Sequence, residues 1–128
     1  MQAALQECAI RNVVGVHARA EDLAGRGGDA FAVVVARAVA PLQSLVELSS
    51  PLLFEGGRLV ALKGVLSDDE AQAAEAVGRI VGCAAVSRRE FALPGDGVRR
   101  TIVVYEKVGR SSISLPRRVG LAQRRPLA

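Results

Sequence analysis

Four arginines near the end of the chain are the most conspicuous side chains that could do chemistry. They form two adjacent pairs: Arg117, Arg118, Arg124 and Arg125. Residues 98–128 carry eight basic side chains and one acid, a net of +7, whereas residues 1–97 carry nine basic and twelve acidic side chains, a net of −3. Guanidinium groups suit phosphate contacts. Charge alone leaves two interpretations open, a solvated surface or contact with a polyanion.

The side chains that usually build metal centres are sparse. His17 is the only histidine, and we expect it to play a structural role at a strand end. Cys8 and Cys83 are far apart and show no metal-like spacing. We expect both cysteines to be reduced and buried, although a disulfide stays open as the less favoured alternative.

Composition indicates one globular domain. The 128 residues are 50% hydrophobic, 23% charged and only 3% aromatic, with no Trp, which favours helices packed on a β-sheet. No apolar run approaches the roughly 20 residues of a membrane-spanning helix. The first residues lack the pattern of a secretory signal, so we expect a cytoplasmic protein.

Three short strands are predicted before the last third of the chain: Val13–Val16, Phe31–Ala36 and Arg58–Leu62. The run Phe31–Ala36 is continuously apolar, which predicts burial on both faces, as in a parallel sheet covered by helices. Arg37 follows this strand, and Lys63-Gly64 ends the next one. Open α/β sheets bind ligands at this carboxyl edge.

Helices are predicted between and before these strands. Residues 2–11 are typical of the end of a helix, and a turn at Arg19 leads into a short one. Pro41 opens another, with a kink or short turn at Pro51 and an end at Gly56-Gly57. Ser67 and Glu70 form a capping box, in which each side chain bonds the other residue's backbone, and Gly82 ends that helix after Val81.

The last third changes character. Residues 83–93 and 100–108 are strand-like, and the turn at 94–97 predicts an antiparallel hairpin. Residues 109–128 are predicted to form an extended basic tail. This tail lies either on the domain formed by residues 1–108 or on a partner. Alternating strands and helices imply a mostly parallel sheet. An antiparallel edge strand is typical of the methyltransferase variety of the doubly wound fold.

Four stretches resemble the small-subunit ribosomal RNA methyltransferase G family, also called glucose-inhibited division protein B. They are ARAEDLAG (18–25), FAVVVARAVAPLQSLVELSSPLLFEGGRLVALKG (31–64), RTIVVYEKV (100–108) and LPRRVGLAQRRPL (115–127). The resemblance covers nearly the whole chain, in order. It implies an S-adenosylmethionine-dependent, Rossmann-like class I methyltransferase that modifies N7 of a guanine in 16S rRNA of the small ribosomal subunit, without a metal.

The resemblance also implies roles for particular residues. Ala20 and Glu21 would contact the adenosine part of the cofactor, and Arg37 matches a further cofactor-binding position. Lys63, which ends the next strand at the same edge, would line the RNA entrance. The four arginines named above match the family's basic tail, for which we favour RNA contact over a solvated surface or intramolecular pairing. Alternatives without a ligand stay open: Glu21 as a helix-start acid, Arg37 as a surface residue and Lys63 in a structural turn.

The chain departs from the family's pattern at its beginning. The glycine-rich cofactor loop and the acidic ribose-binding residue are both absent, and Ala32 stands where an acid is expected. The corresponding strands would neighbour Val13–Val16 and Phe31–Ala36, so we expect an open apolar sheet edge. The chain alone is therefore expected to be inactive as an enzyme.

Two other functions compete with this interpretation. One is a non-catalytic RNA-binding fragment that uses the basic tail. The other is a different Rossmann-type enzyme, such as a nucleotide-dependent oxidoreductase. The second is disfavoured because no G-x-G-x-x-G occurs in the sequence and the hairpin ending does not suit it.

Overall fold

The computed structural model describes residues 1–27, 31–37 and 40–128. Its elements, in chain order, are α1 (Gln2–Glu7), α2 (Ala20–Gly25), β1 (Phe31–Arg37), α3 (Leu42–Ser49), a 3-10 turn (Ser50–Leu52), β2 (Leu53–Lys63), α4 (Asp68–Val81), β3 (Cys83–Ala92), β4 (Arg99–Lys107) and α5 (Leu121–Arg124). The prediction of a mixed α/β domain is confirmed at this level.

Four strands form one sheet in the order β1-β2-β4-β3. β1 pairs with β2 in parallel, and β4 runs antiparallel to both β2 and β3. The antiparallel strand thus lies between two others and not at the sheet edge as predicted. Helices α3 and α4 cover one face, where Val46, Val77, Leu59 and Tyr105 belong to the same buried core. The opposite face carries the alternate residues of each strand, because successive side chains of a strand point to opposite sides.

Helix α4 begins and ends where the sequence predicts. Ser67 Oγ accepts a hydrogen bond from Glu70 N at 3.1 Å, and Gly82 ends the helix with a φ of 80°. Only glycine adopts this left-handed conformation without strain. The reciprocal half of the capping box is wrong, because the Glu70 carboxylate instead accepts from Leu42 N at 2.7 Å and lies 2.8 Å from Lys63 Nζ.

The hairpin of β3 and β4 is confirmed, and so is the turn at Pro51, which is a 3-10 turn. The glycine pair Gly56-Gly57 does not precede the next strand as predicted but lies within β2, which begins at Leu53. The chain after β4 is not wholly extended, because it forms α5. Ser44 Oγ of α3 donates to Ala122 O of α5 at 2.7 Å, so this segment lies on the domain.

The predicted strand at Val13–Val16 is wrong. This stretch has no strand partner in the described parts of the chain, and Val14 is 84% exposed. A lone extended segment cannot pair its backbone groups, so β-propensity alone does not make it a strand. His17 lies in the same irregular stretch and is exposed rather than placed at a strand end. Cys83 is buried as expected, but Cys8 is exposed; both are free thiols.

The strand β1 forms as predicted but is not buried on both faces. It is one of the two edge strands of the described sheet, and an open edge here is expected from the departures at the beginning of the chain. Phe31, Val33 and Val35 are 40%, 54% and 63% exposed. These side chains alternate with Val34 and Ala36, which pack against the core. The continuous apolar run therefore presents one buried side and one open side.

Candidate functional site

A cavity of about 410 Å³ opens at the carboxyl ends of β1 and β2. Its lining combines cationic and apolar side chains: Arg37, Leu62, Lys63, Gly64, Phe91, Leu93, Arg100, Thr101 and Ile102. Parallel pairing brings the ends of β1 and β2 to one edge of the sheet, where Arg37 stands beside Leu62. The antiparallel hairpin contributes the beginning of β4 and the end of β3 to the same edge.

Arg37 is exposed at the last position of β1. None of the carboxylates in the described residues lies within ion-pairing distance of it. Its guanidinium group is therefore available to an anionic or carbonyl-bearing ligand in the cavity.

Lys63 is held in place at the next strand end. Its Nζ donates to Ala40 O at 3.0 Å and lies 2.8 Å from Glu70 Oε1. Burial, the largest single influence, raises the pKa of Glu70, but the hydrogen bonds from Lys63 and Leu42 N and the Lys63 charge together lower that pKa. The carboxylate thus stays ionised, and the lysine is fixed at the rim of the cavity.

Glu21 lies elsewhere, under the C-terminal segment. Its side chain is 8% exposed; Oε1 accepts from Gly120 N at 3.0 Å, and Oε2 lies 4.0 Å from Arg19 Nε. Ala20 precedes it as the half-buried first residue of α2. Glu21 borders a second, small cavity together with Glu47, Arg117 and Arg118.

The four C-terminal arginines differ in their surroundings. Arg117 is paired with Glu47, with Nε at 2.7 Å from Oε1 and Nη2 at 2.6 Å from Oε2. Arg118, Arg124 and Arg125 are exposed. Arg124 Nη2 makes a long hydrogen bond of 3.4 Å to Val119 O. Three of the four side chains thus remain open to a polyanion, while Arg117 is engaged within the molecule.

The structure therefore divides the sequence-predicted residues between two places. Arg37 and Lys63 line the large cavity, whereas Glu21, Arg117 and Arg118 surround the small one. Sequence reasoning did not single out Phe91, Arg100 or Glu47. A signal existed for the first two, because a turn centred on residues 94–97 places Phe91 opposite Arg100. Nothing in the sequence marks Glu47 as the partner of an arginine 70 residues away.

The residues that the structure describes form neither a metal-binding cluster nor a membrane-spanning helix. They contain no group of three or more His, Cys, Asp or Glu side chains that could hold a metal ion. None of their helices is long and apolar enough to span a membrane.

Comparison with known proteins identifies the family to which the chain is similar. The family described as GidB: rRNA small subunit methyltransferase G matches residues 1–94. Proteins called ribosomal RNA small subunit methyltransferase G are similar over most of the chain. The relative from Lactobacillus delbrueckii subsp. bulgaricus is 38% identical over 126 residues, 96% of this chain and 52% of its own. That from Carboxydothermus hydrogenoformans is 33% identical over 129 residues, 99% of this chain and 55% of its own.

A third relative, from Streptococcus pyogenes serotype M49, is 38% identical over 126 residues, 95% of this chain and 52% of its own. The chain thus spans about half the length of the curated relatives it matches. Its family match covers 94 of 128 residues and includes Glu21, Arg37 and Lys63. The chain belongs to the rRNA small subunit methyltransferase G family.

Proposed function

We propose that this chain is the RNA-facing part of a methyltransferase that transfers a methyl group from S-adenosylmethionine to N7 of a guanine in 16S rRNA. The observation that carries the proposal is the cavity at the carboxyl edge of the sheet, with Arg37 and Lys63 at adjacent strand ends in a chain of this family. The relatives' names support rRNA of the small subunit as the substrate. The proposed fold is the Rossmann-like class I methyltransferase fold. The proposed location of the protein is the cytoplasm.

The reaction asks little acid–base chemistry of the protein. S-adenosylmethionine supplies a methyl group on a positively charged sulfur, which is already reactive toward a lone pair such as that of guanine N7. Guanine N7 carries no proton, so no side chain of this chain has to act as a general base. The role of the chain is to hold guanine N7 in line with the methyl group of the cofactor.

Arg37 and Glu21 border different cavities, so each would contact a different part of such a cofactor. Arg37 is exposed and without a described carboxylate partner, so its guanidinium can bind an oxygen-bearing edge of the ligand. Among the described residues, the only cation within ion-pairing distance of Glu21 is Arg19, whose Nε lies 4.0 Å from Oε2. That oxygen can accept from an adenine amino group, and the backbone of Ala20 can face the adenine ring.

A glycine-rich cofactor loop is part of the proposal, and these 128 residues contain no G-x-G-x-x-G. We therefore expect the dissociation constant of S-adenosylmethionine for the isolated chain to lie above the micromolar range. A micromolar constant corresponds to a binding free energy of about −8 kcal/mol. Calorimetry tests this expectation. Micromolar binding by the isolated chain would show that the loop is dispensable.

A chimera tests the proposed function itself. The matching 126 residues of the Lactobacillus delbrueckii relative are replaced by this chain, and the product is incubated with methyl-labelled S-adenosylmethionine and small ribosomal subunits. Label in 16S rRNA, recovered as N7-methylguanine by mass spectrometry, supports the proposal. A folded chimera that transfers no methyl group, beside an active parent enzyme, overturns it.

A second candidate function is RNA binding without catalysis. It is favoured by the exposure of Arg118, Arg124 and Arg125 on a segment of net positive charge. The chimera separates the two functions: methyl transfer supports the enzyme, whereas RNA binding with no transfer supports the binding fragment.

A further inference from the structure

The sheet face turned away from α3 and α4 carries an ordered row of side chains. Strand register places Arg37 of β1 beside Leu62 of β2, Leu62 beside Ile102 of β4, and Ile102 beside Arg89 of β3. Directly paired residues project to the same side of a sheet. The row therefore has arginines on its two outer strands and aliphatic side chains between them.

Arg100 and Phe91 stand next to this row on the same face. Arg100 is two residues from Ile102, so both project to one side, and Phe91 is the direct partner of Arg100. Both side chains are half-buried and line the cavity with Leu62 and Ile102. The cavity thus has an aliphatic floor, an aromatic wall and a guanidinium group at its rim.

The hairpin sorts its arginines by face. On the helix-covered side, Glu90 Oε1 lies 2.9 Å from Arg88 Nη2, and Glu90 Oε2 lies 3.3 Å from Arg99 Nη2. On the cavity side, neither Arg89 nor Arg100 has a carboxylate within 4.0 Å among the residues that the structure describes. Arg100 makes one long hydrogen bond, 3.3 Å from Nη1 to Arg99 O. Among the described residues, no carboxylate therefore balances the charge of Arg89 or Arg100.

We propose that this face is a subsite for a single-stranded RNA segment, with one base stacked on Phe91 and the adjoining phosphates on Arg89 and Arg100. The proposal rests on the proposed function and deepens it, because it says which residues hold the RNA. Unpaired arginines recognise phosphate, and an aromatic ring that lines the same cavity can stack against an unstacked base. Bases inside a duplex do not offer their faces to such a ring.

The subsite lies on the same sheet face as the cofactor residue of the proposed function. Arg37 lies at the other end of the same row, across Leu62 and Ile102. Neighbouring strands are about 4.8 Å apart, so the row spans roughly 14 Å from β1 to β3. Phe91 and Arg100 lie on the same face as Arg37, one step further along β3 and β4, so a base stacked on Phe91 would lie on the face that also carries the proposed cofactor residue.

The experiment measures binding of the whole 128-residue chain to a fluorescently labelled, unstructured single-stranded RNA by anisotropy over a range of salt. Arg100→Gln should weaken binding about tenfold and reduce the slope of log affinity against log salt by about 0.7, one phosphate contact. Phe91→Leu should weaken binding about tenfold at an unchanged slope, because stacking carries no counterion release. Phe91→Tyr keeps the ring and should bind as the parent does.

The chain offers a matched control. Arg99→Gln removes the same charge from the adjacent residue on the other face and should leave affinity and slope near the parent values. Equal losses for Arg99→Gln and Arg100→Gln would overturn the subsite, as would an unchanged affinity for Phe91→Leu or equally tight binding of duplex RNA. If Phe91→Leu does not fold, Arg89→Gln decides, because its exposed side chain must also lower the slope.

Failure of the subsite and failure of the proposed function give different results. Loss of RNA affinity in Arg100→Gln, with an inactive chimera, supports the subsite and removes the enzyme. An active chimera whose RNA affinity is unchanged by Arg100→Gln and by Phe91→Leu contradicts the subsite and supports the enzyme.

Discussion

Arg117 meets Glu47 in a two-pronged contact, Nε to Oε1 at 2.7 Å and Nη2 to Oε2 at 2.6 Å. The glutamate belongs to α3 and is only 3% exposed, whereas the arginine follows β4 in the C-terminal segment. Arg117 Nη2 also donates to Arg125 O at 2.9 Å. The pair therefore ties the basic segment to the helix that packs on the sheet.

Removing one member of this pair should destabilise the protein. In Arg117→Gln the buried Glu47 carboxylate loses its cation, and breaking such a pair costs roughly 3 kcal/mol. The free energy of unfolding in urea should fall by that order, a large part of the total for a domain of this size. Glu47→Gln combined with Arg117→Gln should cost less than the two single losses added together. A parent-like urea midpoint for Arg117→Gln would show that the pair contributes little.

Local signals in the sequence predicted much of the fold. Ser67 and Gly82 mark the two ends of α4, and the turn at 94–97 sets the hairpin, because caps and turns depend on a few neighbouring residues. Val13–Val16 shows the limit of such signals. Its composition favours a strand, but a strand also needs a partner, which no local pattern supplies.

The candidate site shows the same division. Arg37 and Lys63 were predicted to share an edge from the rule that parallel strands end together, and they do line one cavity. The position of Glu21 beside Gly120 could not be predicted, because that contact joins residues 99 apart through the packing of the C-terminal segment. The roles of Ala20, Glu21 and Arg37 toward a cofactor stay predictions.

Stability at acidic pH should depend on Glu70. Its pKa in the folded protein is lowered below the ordinary value, since the bonds from Lys63 and Leu42 N outweigh the opposing effect of burial. A lowered folded-state pKa means that the stabilisation is present above the unfolded-state pKa and is lost as pH falls through the folded-state pKa. Between pH 7 and pH 3, the free energy of unfolding in urea should therefore fall more for the parent than for Glu70→Gln.

A matched variant isolates this carboxylate. Glu75 lies on the same helix, is 56% exposed and pairs loosely with Arg79 at 3.9 Å. Glu75→Gln should keep the acid dependence of the parent. If the parent and Glu70→Gln lose stability in parallel down to pH 3, Glu70 is not the group responsible.

Cofactor use in the chimera should depend on Arg37 and Glu21. Each substitution to Ala removes one hydrogen bond to a charged group, worth about 1.5–3 kcal/mol, or roughly 10- to 150-fold in affinity for S-adenosylmethionine. Glu21→Ala also removes the acceptor of Gly120 N–H, so its melting temperature must be compared with that of Glu21→Gln, which keeps an acceptor oxygen. Kinetics unchanged in both Ala variants would exclude these residues from the cofactor site.

The C-terminal arginines should determine part of the salt dependence of RNA binding. Arg118, Arg124 and Arg125 are exposed, and each phosphate contact with single-stranded RNA contributes about 0.7 to the slope of log affinity against log salt. Replacing all three by Gln should therefore lower the slope by about two, whereas replacing them by Lys should keep it. Arg117 is not substituted, because loss of its ion pair with Glu47 would change the stability of the protein as well as its RNA binding. Melting temperatures of the Gln and Lys variants should agree within a few degrees, since these side chains make little contact with the domain. A Gln variant that retains the parent's slope would show that this segment is solvated surface, and the RNA-binding fragment would then lack its contact.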